Sequence, residues 1–325
     1  MMNESFCAGL LQSRLAHSDL RELRTTFIVN CVFNNFSNFT TIMFNIVTLY
    51  AMRKTSSLPR TLKTLLLSLA VSDVGVGLFV QPFYTFSLSK WLQLDNPSCN
   101  AYRAWIISCL LFSSASFLGV VAVSVDRFLA VHLHLRYQEL VTHKRVVIVV
   151  ASQWVSSVFF SLIILWGSFF MRKLITVVFS AIGFILTFVV YVKIYLIVRR
   201  HKNQIQSEQV KEVAQTGEMT NFAALVKSTV GVFYVYLVFL VCYLPFTIGI
   251  AGFRTSDMSF LFTDFYPFSL TLMYLNSSLN PVIYCWKMRH IRHAIVDILR
   301  NISRRRNHPS RVIYNRSSNV AHVYT

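Results

Sequence analysis

The chain has 325 residues, of which 54% are hydrophobic and only 14% charged, whereas a water-soluble domain carries about a quarter charged residues. Its formal net charge is +18, but the basic residues sit at the ends of long apolar runs and mostly on one side of them. That placement argues against a nucleic-acid surface; it reads as membrane orientation plus attraction to anionic cytoplasmic lipids.

Seven apolar stretches follow in order, over 27–51, 62–86, 102–125, 146–167, 174–198, 228–252 and 261–286. About 20 apolar residues carry a helix across the hydrocarbon, and backbone in lipid must satisfy its own hydrogen bonds. The predicted fold class is therefore an all-α integral membrane protein: a seven-transmembrane helix bundle with a short amphipathic eighth helix. Its expected parts are an extracellular N-terminal tail (1–26), the bundle (27–286), an amphipathic membrane-surface helix (287–300) and a cytoplasmic C-terminal tail (301–325). With the N-terminus outside and the C-terminus cytoplasmic, most of the 31 Lys and Arg lie inside, following the positive-inside rule. The tail before the first stretch lacks the apolar core of a cleavable signal peptide.

In that tail, Asn3 opens the sequon Asn3-Glu4-Ser5, a candidate glycosylation site on the outer side. Cys7 and Cys99 both fall on the oxidising side, where a disulfide persists, although connectivity does not follow from sequence. Cys31, Cys109, Cys242 and Cys285 fall within helices as small apolar fillers.

The first stretch is interrupted by Asn30, Asn34, Asn38 and Asn45. With Thr41 they step at helical spacing and form one stripe. The stripe is expected to face the bundle while Phe27, Val32, Phe36 and Phe39 meet lipid or neighbouring helices. The alternative is a frayed segment whose helix begins nearer Ile42. If the longer helix forms, the sequons at Asn35 and Asn38 lie in it and stay unmodified.

On the second stretch, Asp73 is the one carboxylate within the membrane interior. A charge there is costly and marks a functional site by default; a protonated carboxyl bonded to neighbours is the structural alternative. At the inner end of the third stretch stands Asp126-Arg127-Phe128, an adjacent charge pair that also suits simple anchoring at a membrane edge. Pro245 kinks the sixth stretch and Pro281 the seventh, within Asn280-Pro281-Val282-Ile283-Tyr284. Residues 287–300 place Met288, Ile291, Ile295, Ile298 and Leu299 on one face with basic residues around the rest, a helix lying on the inner surface.

Taken together, these residues resemble the rhodopsin-like (class A) G-protein-coupled receptors. The resemblance runs through Asn45, Leu69 to Asp73, Asp126-Arg127-Phe128, Trp154, Tyr191, Cys242-Tyr243-Leu244-Pro245 and Asn280 to Tyr284. It implies a plasma-membrane receptor, not an enzyme, that passes an extracellular ligand's arrival to a heterotrimeric G protein. It further implies a sodium pocket at Asp73, Ser116, Asn276, Ser277 and Asn280, with no other cofactor. Asp126, Arg127, Leu135, Tyr191 and Tyr284 would act in activation and G-protein coupling, and Tyr243, Pro245 and Pro281 as hinges. The ligand pocket would be Tyr84, Trp105, Cys109, Ser113, Phe246, Tyr266, Leu270 and Tyr274. Arrestin is a further implied partner, with Ser303, Ser310, Ser317 and Ser318 in the tail.

The chain departs from the family at several points. Tyr243 stands for the usual Trp, Gly183 for the usual proline, and the short outer loop around Gly167 to Arg172 has no cysteine. The short loop, that missing proline and Leu135-Arg136-Tyr137 look most like the melanocortin branch and its relatives, although the acidic cluster of that branch is absent. Amine receptors of the family carry an Asp where Cys109 stands, and opsins a Lys where Tyr274 stands, so retinal is not expected. A neutral, lipidic or anionic ligand, or a peptide, is expected over a monoamine. A transporter or channel is the rival reading, but the chain has no visible repeat of halves and a single membrane carboxylate.

Overall fold

The computed structural model describes residues 21–55, 58–133, 136–166, 169–207, 216–252, 265–288, 291–297 and 300. Seven long helices carry this part of the chain: α1 (Arg24–Lys54), α2 (Arg60–Leu92), α3 (Cys99–Leu133), α4 (His143–Trp166), α5 (Phe169–Ser207), α6 (Thr216–Gly252) and α7 (Phe265–Lys287). A short helix, α8, covers 291–297. The long α1 holds, so its helix does not wait for Ile42. Most helices overrun the predicted apolar stretches. Hydropathy registers only the part within hydrocarbon, whereas the helix continues into the headgroup zone. At the end of α1 the basic Arg53 and Lys54 occupy the last turn, where they oppose the negative end of the helix dipole.

One boundary moves. Lys287 completes α7, so the surface helix begins later than the expected 287, and its described part is 291–297. Met288 and Ile291 are buried, and Ile295 packs on the same core, so the apolar face lies against the bundle as its spacing requires. Ile298 and Leu299 lie outside the described residues. The polar connection between α5 and α6 extends both helices, to Ser207 and from Thr216.

Helix α1 is turned inside out relative to a helix of a soluble protein. On α1, Asn30, Asn34, Thr41 and Asn45 have no exposed surface, while Val32, Phe36 and Phe39 are 67%, 70% and 66% exposed. Asn38 is half-buried, and Phe27 turns inward against Trp91. The stripe finds partners on other helices: Thr271 donates to Asn30 Oδ1 and accepts from Asn34 Nδ2, each at 2.6 Å. Asn45 Nδ2 donates to the Ser277 carbonyl at 2.9 Å, and Gln81 Nε2 to Ser37 Oγ at 3.1 Å. Five helices among the described residues are long and apolar enough by composition to cross a membrane. α1 and α7 are not among them, because their inward faces carry the amides and hydroxyls of this seam.

α2 contains one π turn, Val76–Val80, directly before Gln81-Pro82. Pro82 lacks an N–H and its ring crowds the carbonyl four residues back; the wider turn relieves both problems and re-aims the C-terminal half of α2. α3 runs through the centre, against α2, α4, α5 and α6, while α7 packs on α6 and α1. Trp154 Nε1 ties α4 to Ser68 Oγ on α2 at 3.0 Å.

At Gly183, where the family's proline is missing, a Cβ would lie 2.2 Å from the Phe117 ring. That ring also packs on Phe179, Phe184 and Phe239, so α5 approaches α3 too closely for any side chain. Gly183→Leu should therefore lower thermal stability, by roughly 1–3 kcal/mol for overpacking. A melting temperature equal to wild type would refute this close approach.

Candidate functional site: a buried carboxylate, an arginine latch and an aromatic cluster

At mid-membrane α2 carries Asp73 inward, with none of its surface exposed. Asn280 Nδ2 donates to Oδ2 at 2.8 Å and Ser116 Oγ to Oδ1 at 3.4 Å, and Ser277 also reaches the carboxylate. α2, α3 and α7 thus converge on one acid. Around them, Asn45 Oδ1, Asn280 Oδ1 and both side-chain polar atoms of Asn276 are buried without a hydrogen-bond partner. Buried acceptors without donors are costly, and a set of carboxylate, hydroxyl and carbonyl oxygens suits a hard cation. The residues present therefore fit the sodium ion that the resemblance implies.

Near the C-terminal end of α3, Arg127 is buried and turned onto its neighbour. Its Nε donates to Asp126 Oδ2 at 3.0 Å, and its Nη2 donates to the same oxygen. Tyr137, in the short helical turn Tyr137–Leu140, donates to Asp126 Oδ1 at 2.5 Å, and the Thr61 hydroxyl lies 2.9 Å from the Tyr137 oxygen. Both carboxylate oxygens are thereby engaged. Burial, reinforced by the Asp126 charge, pushes the Tyr137 hydroxyl up to about 12, so at neutral pH it remains a donor. Tyr191 meets Ser124 Oγ at 3.1 Å and stacks on Tyr236. The Tyr284 hydroxyl is buried with no partner. In this arrangement Arg127 is held by Asp126, with α6 contributing no acid over Leu225–Ala251. Leu135 lies outside the described residues. Sequence reading gave no role to Tyr137, because it stands in a different helix from Asp126 and no helical period links the two.

Toward the N-terminal end of α3, four expected pocket residues close on one another. Trp105 Nε1 donates to the Tyr274 hydroxyl at 3.1 Å, and Cys109 Sγ lies 3.5 Å from the same oxygen. Tyr84 stacks on Trp105 and meets Tyr274 edge-on. Ser113 lies below, 3.9 Å from Cys109. Phe246 and Tyr266 form a half-buried ring pair, and Leu270 is buried. Tyr243 stacks on Phe239 at 4.0 Å, two residues before Pro245 within α6; Pro281 lies within α7. Cys99 is disulfide-bonded, while Cys31, Cys109, Cys242 and Cys285 are free. Cys7, Asn3 and the tail serines lie outside the described residues.

A charge latch at one end of a helix bundle, an aromatic cluster at the other and a polar core between them form the layout of a signalling receptor that crosses the membrane several times. Residues 44–173 and 166–284 match the profile of the 7 transmembrane receptor (rhodopsin family), and the chain belongs to that family. It is 28% identical over 285 residues to the histamine H2 receptor of Canis lupus familiaris, covering 80% of this chain and 76% of that one. It is 25% identical over 298 residues to the adenosine receptor A2b of Gallus gallus, covering 79% and 84%. The alpha-1A adrenergic receptor of Bos taurus is 26% identical over 289 residues, covering 72% and 60%. These relatives are receptors rather than enzymes, and the chain functions as a G-protein-coupled receptor. A transporter or channel is not favoured.

Proposed function

We propose that this receptor lies in the plasma membrane with its N-terminus outside, and that its outer aromatic cluster takes a neutral, lipidic or anionic ligand, or a peptide. The observation that carries this is Cys109, which faces the Tyr274 hydroxyl where an amine receptor would hold a carboxylate. The relatives' names include an amine, histamine, and a nucleoside, adenosine. A cationic amine bound beside Cys109 would be buried without a counter-ion, which is expensive. Tyr84, Trp105 and Tyr274 instead offer ring faces and neutral donors, the usual lining of a small-molecule cleft.

In this reading, ligand contacts repack the cluster and Tyr243, and α6 pivots at Pro245. Arg127 leaves Asp126 for the G protein, and the open form is held by Tyr191 and the unpartnered Tyr284 hydroxyl. Asp73, Ser116, Asn276, Ser277 and Asn280 would hold sodium in the closed form. The test is nucleotide exchange on added G proteins by the purified receptor in proteoliposomes, screened with ligand pools. Saturable monoamine binding that survives Cys109→Ala but requires Asp73 would contradict the pocket.

Cys99 is disulfide-bonded and the four described helix cysteines are free, which supports a Cys7–Cys99 bridge pinning the tail to the start of α3. Peptide mapping without reduction should recover the two cysteines linked; recovery of both as free thiols would exclude the bridge.

A further inference from the structure

Between α3 and α4, beside the turn that carries Tyr137, lies a groove of about 500 Å³. Leu118, Val121 and Val125 of α3 line it, with Val146 and Val149 of α4 and Leu140 from the turn. Leu140 and Val149 are exposed, so the groove opens on the lipid-facing side. Asp126 also borders it, but both of its oxygens are already engaged by Arg127 and Tyr137.

The groove's mouth has a different chemistry. Arg145 lines it, exposed, with Nη1 donating to the Leu140 carbonyl at 2.6 Å, and exposed Lys144 and His143 precede it. These residues form the first turn of α4, where backbone N–H groups lack intrahelical partners and the helix dipole favours an anion. An apolar slot in the hydrocarbon that ends in cationic groups at the headgroup level is complementary to an amphiphile with a negatively charged head.

We propose that this groove is a site for one anionic phospholipid of the inner leaflet, with an acyl chain along the α3–α4 wall and its phosphate at Arg145. A neutral lipid would leave the basic mouth unmatched, and a soluble anion would leave the apolar wall uncovered. The seated chain lies behind Leu140 and braces the turn that holds Tyr137 against Asp126. The lipid composition of the membrane thereby bears on the latch. The inference rests on the proposed orientation with the N-terminus outside and is independent of what the outer cluster binds.

The test is native mass spectrometry of the full-length receptor in detergent, titrated with phosphatidylglycerol or phosphatidylcholine of matched chains. Wild type should retain phosphatidylglycerol roughly fivefold more tightly, about the effect of one basic contact with an anionic surface. Arg145→Gln, on the exposed rim, should abolish that preference. Ala122→Phe, which fills the groove, should remove retention of the lipid itself. Ile182→Phe, on the lipid-facing side of α5, should match wild type. Equal retention of the two lipids by wild type would overturn the site. So would a preference that survives Arg145→Gln, which would put the phosphate elsewhere, or one that survives Ala122→Phe, which would put the chain elsewhere.

Discussion

Asp126→Asn should raise ligand-free nucleotide exchange about tenfold or more. Every described tie on Arg127 runs to this one carboxylate, and Tyr137 holds the carboxylate from its other side. Charge-assisted hydrogen bonds contribute about 1.5–3 kcal/mol each, and 1.4 kcal/mol is a factor of ten in a two-state population. Because α6 offers no acid over Leu225–Ala251, no second lock there would hold the closed form once Asp126 is neutral. The same substitution strips a buried guanidinium of its partner, which costs about 3–5 kcal/mol of stability, so less folded receptor is also expected. Tyr137→Phe separates the two effects. It removes one donor, leaves the ion pair intact and should raise basal exchange by a smaller factor without that loss of folded protein. The measurement is nucleotide exchange per mole of folded receptor in proteoliposomes, with Arg127→Ala as the uncoupled baseline. Wild-type rates in both variants would show that the latch does not restrain the receptor.

Asp73→Asn should abolish any stabilisation of the receptor by sodium. Asp73 supplies the only formal charge among its described neighbours Ser116, Ser277 and Asn280. An asparagine keeps the shape but carries no charge to hold a monovalent cation. A ligand that binds the folded state alone raises stability with its concentration, so wild type should melt at a higher temperature in sodium chloride than in choline chloride. The variant should melt at the same temperature in both salts. Identical melting of wild type in the two salts would remove sodium from the site.

The parts of this receptor that were legible in its sequence were those with a helical period or a membrane cost. Seven apolar runs of sufficient length gave the seven helices. The step from Asn30 to Asn45 gave the inward face of α1, and the isolation of Asp73 in the hydrocarbon marked the centre of the bundle. The helix ends were less legible, since hydropathy stops at the headgroups while hydrogen bonding continues, as in α5 reaching Ser207. Tyr137 was hidden because it stands outside α3, in a separate short helix whose position against Asp126 no sequence period predicts. The π turn before Pro82 was hidden because the proline's geometric conflict can be resolved in several ways. The closure of Tyr84, Trp105, Cys109 and Tyr274 was also unreadable. Those residues come from α2, α3 and α7, and their contacts depend on helix rotations that composition does not fix.

The asparagine seam of α1 bears on how the protein is made. A segment whose Ser37 hydroxyl must wait for Gln81, and whose asparagines must wait for Thr271 and Ser277, is poorly soluble in lipid on its own. Its partners on α7 leave the ribosome more than two hundred residues later. The opening helix is thus held in the bilayer provisionally, and biogenesis is completed only when the last helix arrives to accept it.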